Sequence, residues 1–168
     1  MTDHLDETSW AILRALQQNA RISYAELGKQ VGLTSPAVAE RVRKLEDAGI
    51  ISGYHAAINL PALGFPISVV IQLRIEHGRS KEVIALVCEM PEVTTCYNLT
   101  GNDCFMVVAA VSSIEHLEKL LNVLTTFGQT TTSIVLSTPV KRRVIGGQIE
   151  TAAGAANNHK NGVIHPLH

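Results

Sequence analysis

The sequence of 168 residues holds only three cysteines, Cys88, Cys96 and Cys104. They form no Cys-x-x-Cys pair and no Cys/His pattern with the spacing of a metal site. An odd, sparse set of thiols is typical of a reducing compartment and excludes a disulfide-stapled scaffold. Gly146-Gly147 has no strand-turn-helix context, so it is no phosphate-binding fingerprint. We therefore expect no metal site and no cofactor.

Long apolar runs and an excess of one charge are also missing. No run approaches the roughly 18 uninterrupted apolar residues that a membrane span needs, and the acidic start has no basic-then-apolar leader. The 14 lysines and arginines stand against 15 aspartates and glutamates, for a net charge of −1. This balance excludes a generally basic nucleic-acid coat but not a DNA-binding surface one helix wide. We expect a cytoplasmic protein with no membrane partner.

The first fifty residues predict three short helices. Asp6 is expected to be the N-cap of the first, and residues 23–26 form a Ser-x-x-Glu capping box at the start of the second. Gly32 ends the second helix and leaves a tight turn. Ser35 is expected to be the N-cap of the third helix, with Pro36 at its first helical position.

The third helix has an apolar stripe and a polar face. At about 100° per residue, Val38, Val42 and Leu45 point inward within one narrow sector. The positions expected to point outward or to lie on the shoulders are Pro36, Glu40, Arg43, Asp47, Ala39 and Lys44. Arg41 lies on the flank of the buried stripe, where we expect a structural ion pair with Glu26 rather than a contact with a base.

A wing is expected after the third helix. Gly49 is placed as the helix stop, and residues 50–58 predict two short strands around a small turn. Helix, helix, tight turn, helix and hairpin make up the winged helix-turn-helix, whose third helix enters the major groove of double-stranded DNA. The guanidinium group of Arg43 can donate two hydrogen bonds to guanine O6 and N7. Glu40 either accepts a hydrogen bond from a cytosine amino group or repels phosphates. A single amphipathic helix is more often a solvated surface, so the prediction depends on the whole succession.

The remainder of the chain predicts a second domain. Pro61, Gly64 and Pro66 break the chain, after which strands alternate with helices in the order β-α-β-β-α-β of ferredoxin-like folds. The predicted strands are 67–75, 93–100, 104–111 and 130–141, and the predicted helices are 80–90 and 114–126. The fold class is therefore α+β. The predicted division is a DNA-binding domain at 1–58, a linker at 59–66, a βαββαβ oligomerisation domain at 67–145, to which the resemblance described below adds effector binding, and a flexible tail at 146–168.

Self-association follows from this second domain. A four-stranded sheet with both helices on one face leaves its other face in need of a partner. Apolar residues in the strand 67–75 supply surface for both faces. We therefore predict a dimer, which would impose two-fold symmetry on the DNA site.

Three groups of residues form a distinctive pattern. The first is Leu5-Asp6, Ile12-Leu13, Leu16-Gln17, Asn19-Ala20-Arg21 and Ser23-Tyr24-Ala25-Glu26-Leu27; the second is Ser35-Pro36-Ala37-Val38, Arg41-Val42, Leu45-Glu46, Gly49-Ile50-Ile51 and Tyr54; the third is Pro91-Glu92-Val93, Cys96-Tyr97 and Thr100-Gly101. Together they resemble the Lrp/AsnC (feast/famine) transcription regulators over about residues 4–142. The resemblance implies a winged helix-turn-helix joined to a βαββαβ effector domain.

The resemblance also implies partners. Members of the family pair through their sheets, and the dimers commonly assemble into tetramers or octamers. Amino acids or similar small molecules bind between dimers and alter assembly or DNA affinity. The DNA-facing positions carried over by resemblance are Ser35, Pro36, Ala39, Glu40 and Arg43, to which the charge of Lys44 adds a backbone contact.

One departure concerns the effector turn, which in the family usually has the form Thr-Gly-x-x-Asp-Tyr. Here the candidate effector-binding residues are Thr100, Gly101, Asn102, Asp103 and Cys104, with Cys104 at the aspartate position. Asp103 lies one residue early, and on a strand that shift reverses the side-chain direction. A neutral thiol offers an ammonium group no ion pair.

Our hypothesis is a sequence-preferring, DNA-binding transcriptional regulator of prokaryotic type, located at the nucleoid, with no enzymatic activity. The alternative is a nucleoid-type architectural protein that wraps or bends DNA with weak sequence preference and no effector. A small-molecule-binding module that has lost DNA binding is a third hypothesis, which the polar face of the third helix disfavours.

Overall fold

A computed structural model describes residues 5–75, 78–101 and 104–146, with the side chain of residue 104 outside the description. The chain divides into two units: residues 5–56 together with 142–146, and residues 57–141. The predicted tail falls almost wholly on residues 147–168, which lie outside the described residues. Within the described part, no helix has the length and apolar character needed to cross a membrane.

The first unit contains the three predicted helices, α1 (Glu7–Gln18), α2 (Tyr24–Val31) and α3 (Ser35–Asp47). Asp6 is the N-cap of α1 and Ser23 the N-cap of α2, as predicted. The side chain of Asp6 accepts from the backbone N–H of Ser9, and that of Ser23 accepts from the backbone N–H of Glu26. The helices bury one cluster: Ile12, Leu13, Leu16, Leu27, Val38, Val42 and Leu45. Burial of each such side chain contributes about 1.5–3 kcal/mol.

The start of α3 differs from the prediction by one residue. Thr34, not Ser35, is the N-cap, and its hydroxyl accepts from the backbone N–H of Ala37 at 3.4 Å. Ser35 is therefore the first helical residue and Pro36 the second. Both Thr34 and Ser35 carry a hydroxyl, and helical spacing alone does not distinguish two adjacent caps.

The predicted wing strands are wrong, because the structure assigns no strand to residues 50–58. The backbone N–H groups of Ile50 and Ile51 both donate to the carbonyl of Leu45, at 2.9 and 3.1 Å, and so close the end of α3. Donors used in this way are not available for a hairpin ladder. Gly49 has a φ of 68°, which confirms it as the left-handed stop after the helix.

Arg41 forms the structural ion pair that was predicted, but with another partner. Its Nη1 donates to Asp6 Oδ2 at 2.7 Å and to Ser9 Oγ at 3.2 Å, rather than to Glu26. Asp6 is thus both the cap of α1 and the anchor of α3. The sequence missed this pair because the two residues are 35 positions apart.

Asp6 gives a pH-dependent contribution to the stability of the first unit. Hydrogen bonds from Ser9, followed by the contact with Arg41, lower the pKa of Asp6 from 3.8 to about 2. Since the folded pKa lies below the unfolded one, the stabilisation is present above about pH 4 and is lost as the pH falls through about 2. We expect Asp6→Ala to lower the free energy of unfolding by about 1 kcal/mol at neutral pH, and Asp6→Asn, which keeps a cap, by less.

Urea titrations at neutral and acidic pH measure this effect. The stability difference between the wild type and Asp6→Asn should shrink as the pH is lowered from about 4 towards 2. A difference that stays constant over that range would show that the charge of Asp6 contributes nothing.

The second unit contains a short 3-10 turn (Pro61–Leu63), inside the segment predicted as a linker, and then the βαββαβ succession. Its elements are β1 (Ile67–Ile75), α4 (Ser80–Glu89), β2 (Val93–Leu99), β3 (Cys104–Val111), α5 (Ile114–Leu124), a 3-10 turn (Thr125–Phe127) and β4 (Gly128–Ile134). The strands form one antiparallel sheet in the order β2-β3-β1-β4. This confirms the ferredoxin-like prediction.

β4 is shorter than predicted, since it ends at Ile134 and not at residue 141. Ile134 pairs with Val69, and the N–H of Val135 makes a last bond to the carbonyl of Ser68. β1 begins at Ile67, which in this register would lie opposite residue 136, so residues beyond 136 have no strand residue to pair with.

The two faces of the sheet differ in burial. The helix-covered face and the helices enclose one core: Val69, Ile71, Leu73, Ile75, Val83, Val87, Phe105, Val107, Ala109, Val111, Leu117, Leu120 and Leu124. The other face, called the open sheet face, has two cross-strand rows at its centre: Val70, Val108 and Thr95, then Gln72, Met106 and Tyr97. These side chains are half-buried or exposed. The predicted uncovered face is therefore present in the single chain.

Candidate DNA interface and effector hairpin

α3 is called the recognition helix from here. One side of it is buried, so the opposite side faces outward. Val38 and Val42 are 0% exposed and Leu45 is 4% exposed. Of the predicted DNA-binding residues, Pro36, Glu40, Arg43 and Lys44 are exposed and Ser35 and Ala39 are half-buried. The structure therefore brings all six to one accessible surface.

The turn before the recognition helix sets its position against α2. Gly32 has a φ of 70°, and the N–H of Leu33 donates to the carbonyl of Gly28 at 2.9 Å. Gly28 is buried, with no space for a larger side chain beside the carbonyl of Leu33. The close turn allows Leu27 of α2 to share the core with Val38 of the recognition helix.

Four charged side chains on the recognition helix form a network. Arg43 Nη2 donates to both carboxylate oxygens of Glu40, at 2.9 and 3.0 Å, and its Nε donates to Oε2 at 3.2 Å. Arg43 Nη1 donates to Asp47 at 2.9 Å, and Lys44 Nζ lies 3.6 Å from Glu40. The hydrogen bond from Arg43 lowers the pKa of Glu40, and the same contact raises the pKa of Arg43. Both groups are therefore charged at neutral pH.

This network was missed at the level of the sequence, although a signal was present. Acids and bases three and four residues apart on one helix face are neighbours in space. Glu40, Arg43, Lys44 and Asp47 have this spacing. The predictions above instead assign Glu40, Arg43 and Lys44 singly to DNA and place Asp47 only on the outward face.

The chain after the recognition helix is held by Tyr54. Its hydroxyl donates to Glu46 Oε1 at 2.9 Å. Burial, with this contact as the second cause, raises the pKa of Tyr54 to about 12. This hydrogen bond, and not the predicted hairpin, links the segment after the recognition helix to that helix.

The C-terminal residues that the structure describes contact α1. The amide of Gln17 forms two hydrogen bonds with the backbone of Ile145, one from Nε2 to the carbonyl at 2.8 Å and one from the N–H to Oε1 at 2.9 Å. Such a paired contact resembles one rung of a β-ladder. No sequence pattern indicated it.

The candidate effector residues occupy the β2–β3 hairpin. Thr100 and Gly101 follow β2 in an exposed turn, where Gly101 has a φ of 116°. Asn102 and Asp103 lie outside the described residues. Cys104 occupies the register position between Leu99 and Arg74. The predicted strand–turn–strand arrangement is confirmed, whereas the role of each residue stays a prediction.

The register also separates two of the cysteines. Cys96 pairs with Val107, and Cys104 pairs with Leu99. The two positions are therefore not opposite each other, which disfavours a disulfide between them within one chain.

A polar cluster at the start of α5 was not anticipated. The Nε2 of His116 lies 2.8 Å from Glu92, and its Nδ1 lies 3.1 Å from the hydroxyl of Ser112. The backbone N–H of Ser112 also donates to Nδ1 at 3.4 Å. The hydrogen bond from His116 lowers the pKa of Glu92. These contacts fix the β3–α5 connection.

Two family models match the chain, one on each unit. An AsnC-type helix-turn-helix domain matches residues 5–46. A Lrp/AsnC ligand binding domain matches residues 68–145.

Similar proteins include named regulators. The HTH-type transcriptional regulator LrpC of Bacillus subtilis is 30% identical over 133 residues, which cover 79% of this chain and 92% of LrpC. The HTH-type transcriptional regulator LrpA of Mycobacterium tuberculosis is 30% identical over 141 residues, covering 82% of this chain and 94% of LrpA.

Solved structures of similar fold include two regulators. B. subtilis LrpC superposes with a TM-score of 0.78 at 29% identity, covering 83% of this chain and 99% of LrpC. A transcriptional regulator of Neisseria meningitidis in complex with L-Met gives a TM-score of 0.79 at 26% identity, covering 84% of this chain and 96% of its own.

Fold, site and comparisons together define a helix-turn-helix transcriptional regulator with a C-terminal ligand-binding domain. More particularly, the chain belongs to the Lrp/AsnC family. These findings support the regulator hypothesis and give no support to the architectural alternative.

Proposed function

We propose that the recognition helix binds the major groove of promoter DNA through Ser35, Pro36, Ala39, Glu40, Arg43 and Lys44. The observation that carries this proposal is the complete burial of Val38 and Val42, which leaves those six residues on the outward face. The N-terminal end of such a helix approaches base edges, and Arg43 and Lys44 supply cations for bases or phosphates. The protein acts by binding, without catalysis, at the nucleoid in the cytoplasm.

Arg43→Ala tests this assignment, and Arg14→Ala is its matched control. Arg14 is also an exposed arginine in an ion pair, with Glu7 at 2.7 Å, but it lies on α1. We expect Arg43→Ala to weaken binding to a duplex selected by the wild type about tenfold or more, because a bidentate contact with a base is lost. Arg14→Ala should bind like the wild type.

Fluorescence anisotropy with the selected and a shuffled duplex measures both affinities. If Arg43→Ala lost affinity equally for both duplexes, Arg43 would contact phosphates rather than bases. Equal affinities for wild type and Arg43→Ala on both duplexes would refute the proposed interface.

We propose further that two chains pair through the open sheet face and that the dimers associate into tetramers or octamers. Val70, Met106 and Val108 give the centre of this face an apolar surface, and Thr95 and Tyr97 border it. A dimer presents two recognition helices related by a two-fold axis, which fits a palindromic DNA site.

The β2–β3 hairpin, residues 100–104, is the proposed effector site. The ligand is a small molecule such as an amino acid; this is supported by the ligand-binding domain match and by the L-Met complexes of the Neisseria regulator and of a Mycobacterium tuberculosis feast or famine regulatory protein. Cys104 stands at the position of the usual aspartate. The division into domains at 1–58, 67–145 and the tail from 146, with the linker 59–66, is part of the same proposal.

A further inference from the structure

The guanidinium group of Arg43 is paired with carboxylates of the recognition helix itself. All three guanidinium nitrogens of Arg43 donate to carboxylates, Nε and Nη2 to Glu40 and Nη1 to Asp47. All three side chains are about half exposed or more, with 60% for Arg43, 49% for Glu40 and 63% for Asp47. Such exposed pairs contribute little to stability, so a suitable ligand can replace them.

The same contacts disfavour phosphate as that ligand. Glu40 and Asp47 balance Arg43 and Lys44, so this group of four side chains carries no net charge. A phosphate approaching Arg43 meets the carboxylate of Glu40 on the same guanidinium. The attraction for DNA backbone of any sequence is therefore weakened at this position.

A ligand that replaces the pair without loss must accept from Arg43 and donate to Glu40. In the major groove, guanine offers two neighbouring acceptors, N7 and O6, and its paired cytosine offers the N4 amino donor beside them. An A·T pair has a donor between its two acceptors, so it does not match the arginine fork. Because guanine O6 and cytosine N4 are adjacent, both side chains can bind without moving apart.

We propose that Glu40 and Arg43 act together to recognise one G·C pair in each half-site, with Arg43 on the guanine and Glu40 on the cytosine amino group. Glu40 is thus a specificity-determining residue that lowers affinity for other sequences. This inference rests on the proposed function, because it requires the recognition helix to enter the major groove.

Glu40→Gln tests the inference, and Asp47→Asn is its matched control. Each substitution removes one negative charge and one carboxylate partner of Arg43, but Asp47 lies two turns further from the helix N-terminus. The probes are the duplex that the wild type enriches from a random pool, the same duplex with each G·C pair changed in turn to A·T, and a shuffled duplex. Thermal unfolding confirms that both variants fold.

The wild type should lose about tenfold or more in affinity when one particular G·C pair of each half-site is changed. Glu40→Gln should lose most of that discrimination and bind the shuffled duplex several-fold more tightly. Its salt dependence should be steeper, because Nε and Nη2 of Arg43 no longer donate to a carboxylate and can bind phosphate. Asp47→Asn should keep the preference for G·C.

Three outcomes would overturn the inference. Glu40→Gln with undiminished discrimination at every pair would show that Glu40 makes no contact with a base. If Asp47→Asn lost as much discrimination between G·C and A·T as Glu40→Gln, the effect would be due to the change in net charge and not to a contact of Glu40 with a base. Wild-type binding without any enriched G·C pair would contradict recognition of that pair while leaving DNA binding intact, whereas no binding to any duplex would refute the proposed function itself.

Discussion

The Val108→Lys variant is expected to be a monomer that has lost most of its affinity for palindromic DNA. Val108 lies in the middle of the open sheet face, between Val70 and Thr95 in the register. In a dimer through this face, the lysine would be buried without a partner, at a cost larger than most interfaces can offset. A monomer contacts only one half-site at a time. Its affinity for the palindromic duplex should therefore be at least about a hundredfold lower than that of the dimer, which binds both half-sites together.

Val123→Lys is the matched control, because it makes the same chemical change on an exposed position of α5. Sedimentation should give the monomer mass of 18.1 kDa for Val108→Lys and multiples of it for the wild type and Val123→Lys. A Val108→Lys protein that sediments like the wild type would show that the open sheet face is not the interface.

Gly28→Ala is expected to destabilise the helical unit by about 2–3 kcal/mol and to lose DNA binding at a lower temperature than the wild type. Alanine is a better helix former than glycine by about 1 kcal/mol. At this position, however, the added Cβ would overlap the carbonyl oxygen of Leu33, which is backbone and part of the tight turn. The clash therefore outweighs the gain in helix propensity and shifts the recognition helix from α2.

Gly32→Ala separates this clash from the ordinary cost of replacing a glycine. Gly32 has a φ of 70°, and an added Cβ would meet no atom within 4 Å. Its expected cost is about 1–2 kcal/mol, from the left-handed backbone alone. Thermal unfolding compares the two variants, and a Gly28→Ala protein no less stable than Gly32→Ala would contradict the account of the turn.

Much of this fold was predictable because the relevant signals are local. β1 and β3 have the predicted bounds, since their β-branched runs are broken sharply by Pro66 and by the glycine turn at residue 101. Asp6 and Ser23 could be placed as caps because a capping side chain acts only three residues away. The recognition face followed from helical periodicity.

What the sequence could not predict depends on distant or competing partners. β4 ends close to the start of β1, the strand with which it pairs, and no pattern within β4 shows this. The ion pair of Arg41 with Asp6 and the contact of Gln17 with Ile145 join residues far apart in the chain. The wing was mispredicted because the apolar pair Ile50-Ile51 has strand propensity, while its N–H groups bond to Leu45.

Selection of duplexes from a random pool at physiological salt, followed by titration of the enriched duplex against a shuffled one, tests the central claim most directly. We expect a two-fold symmetric motif with a preference of about a thousandfold or more, as a specific regulator requires. Tight, strongly salt-dependent binding with no enriched motif would contradict sequence-specific regulation by the recognition helix.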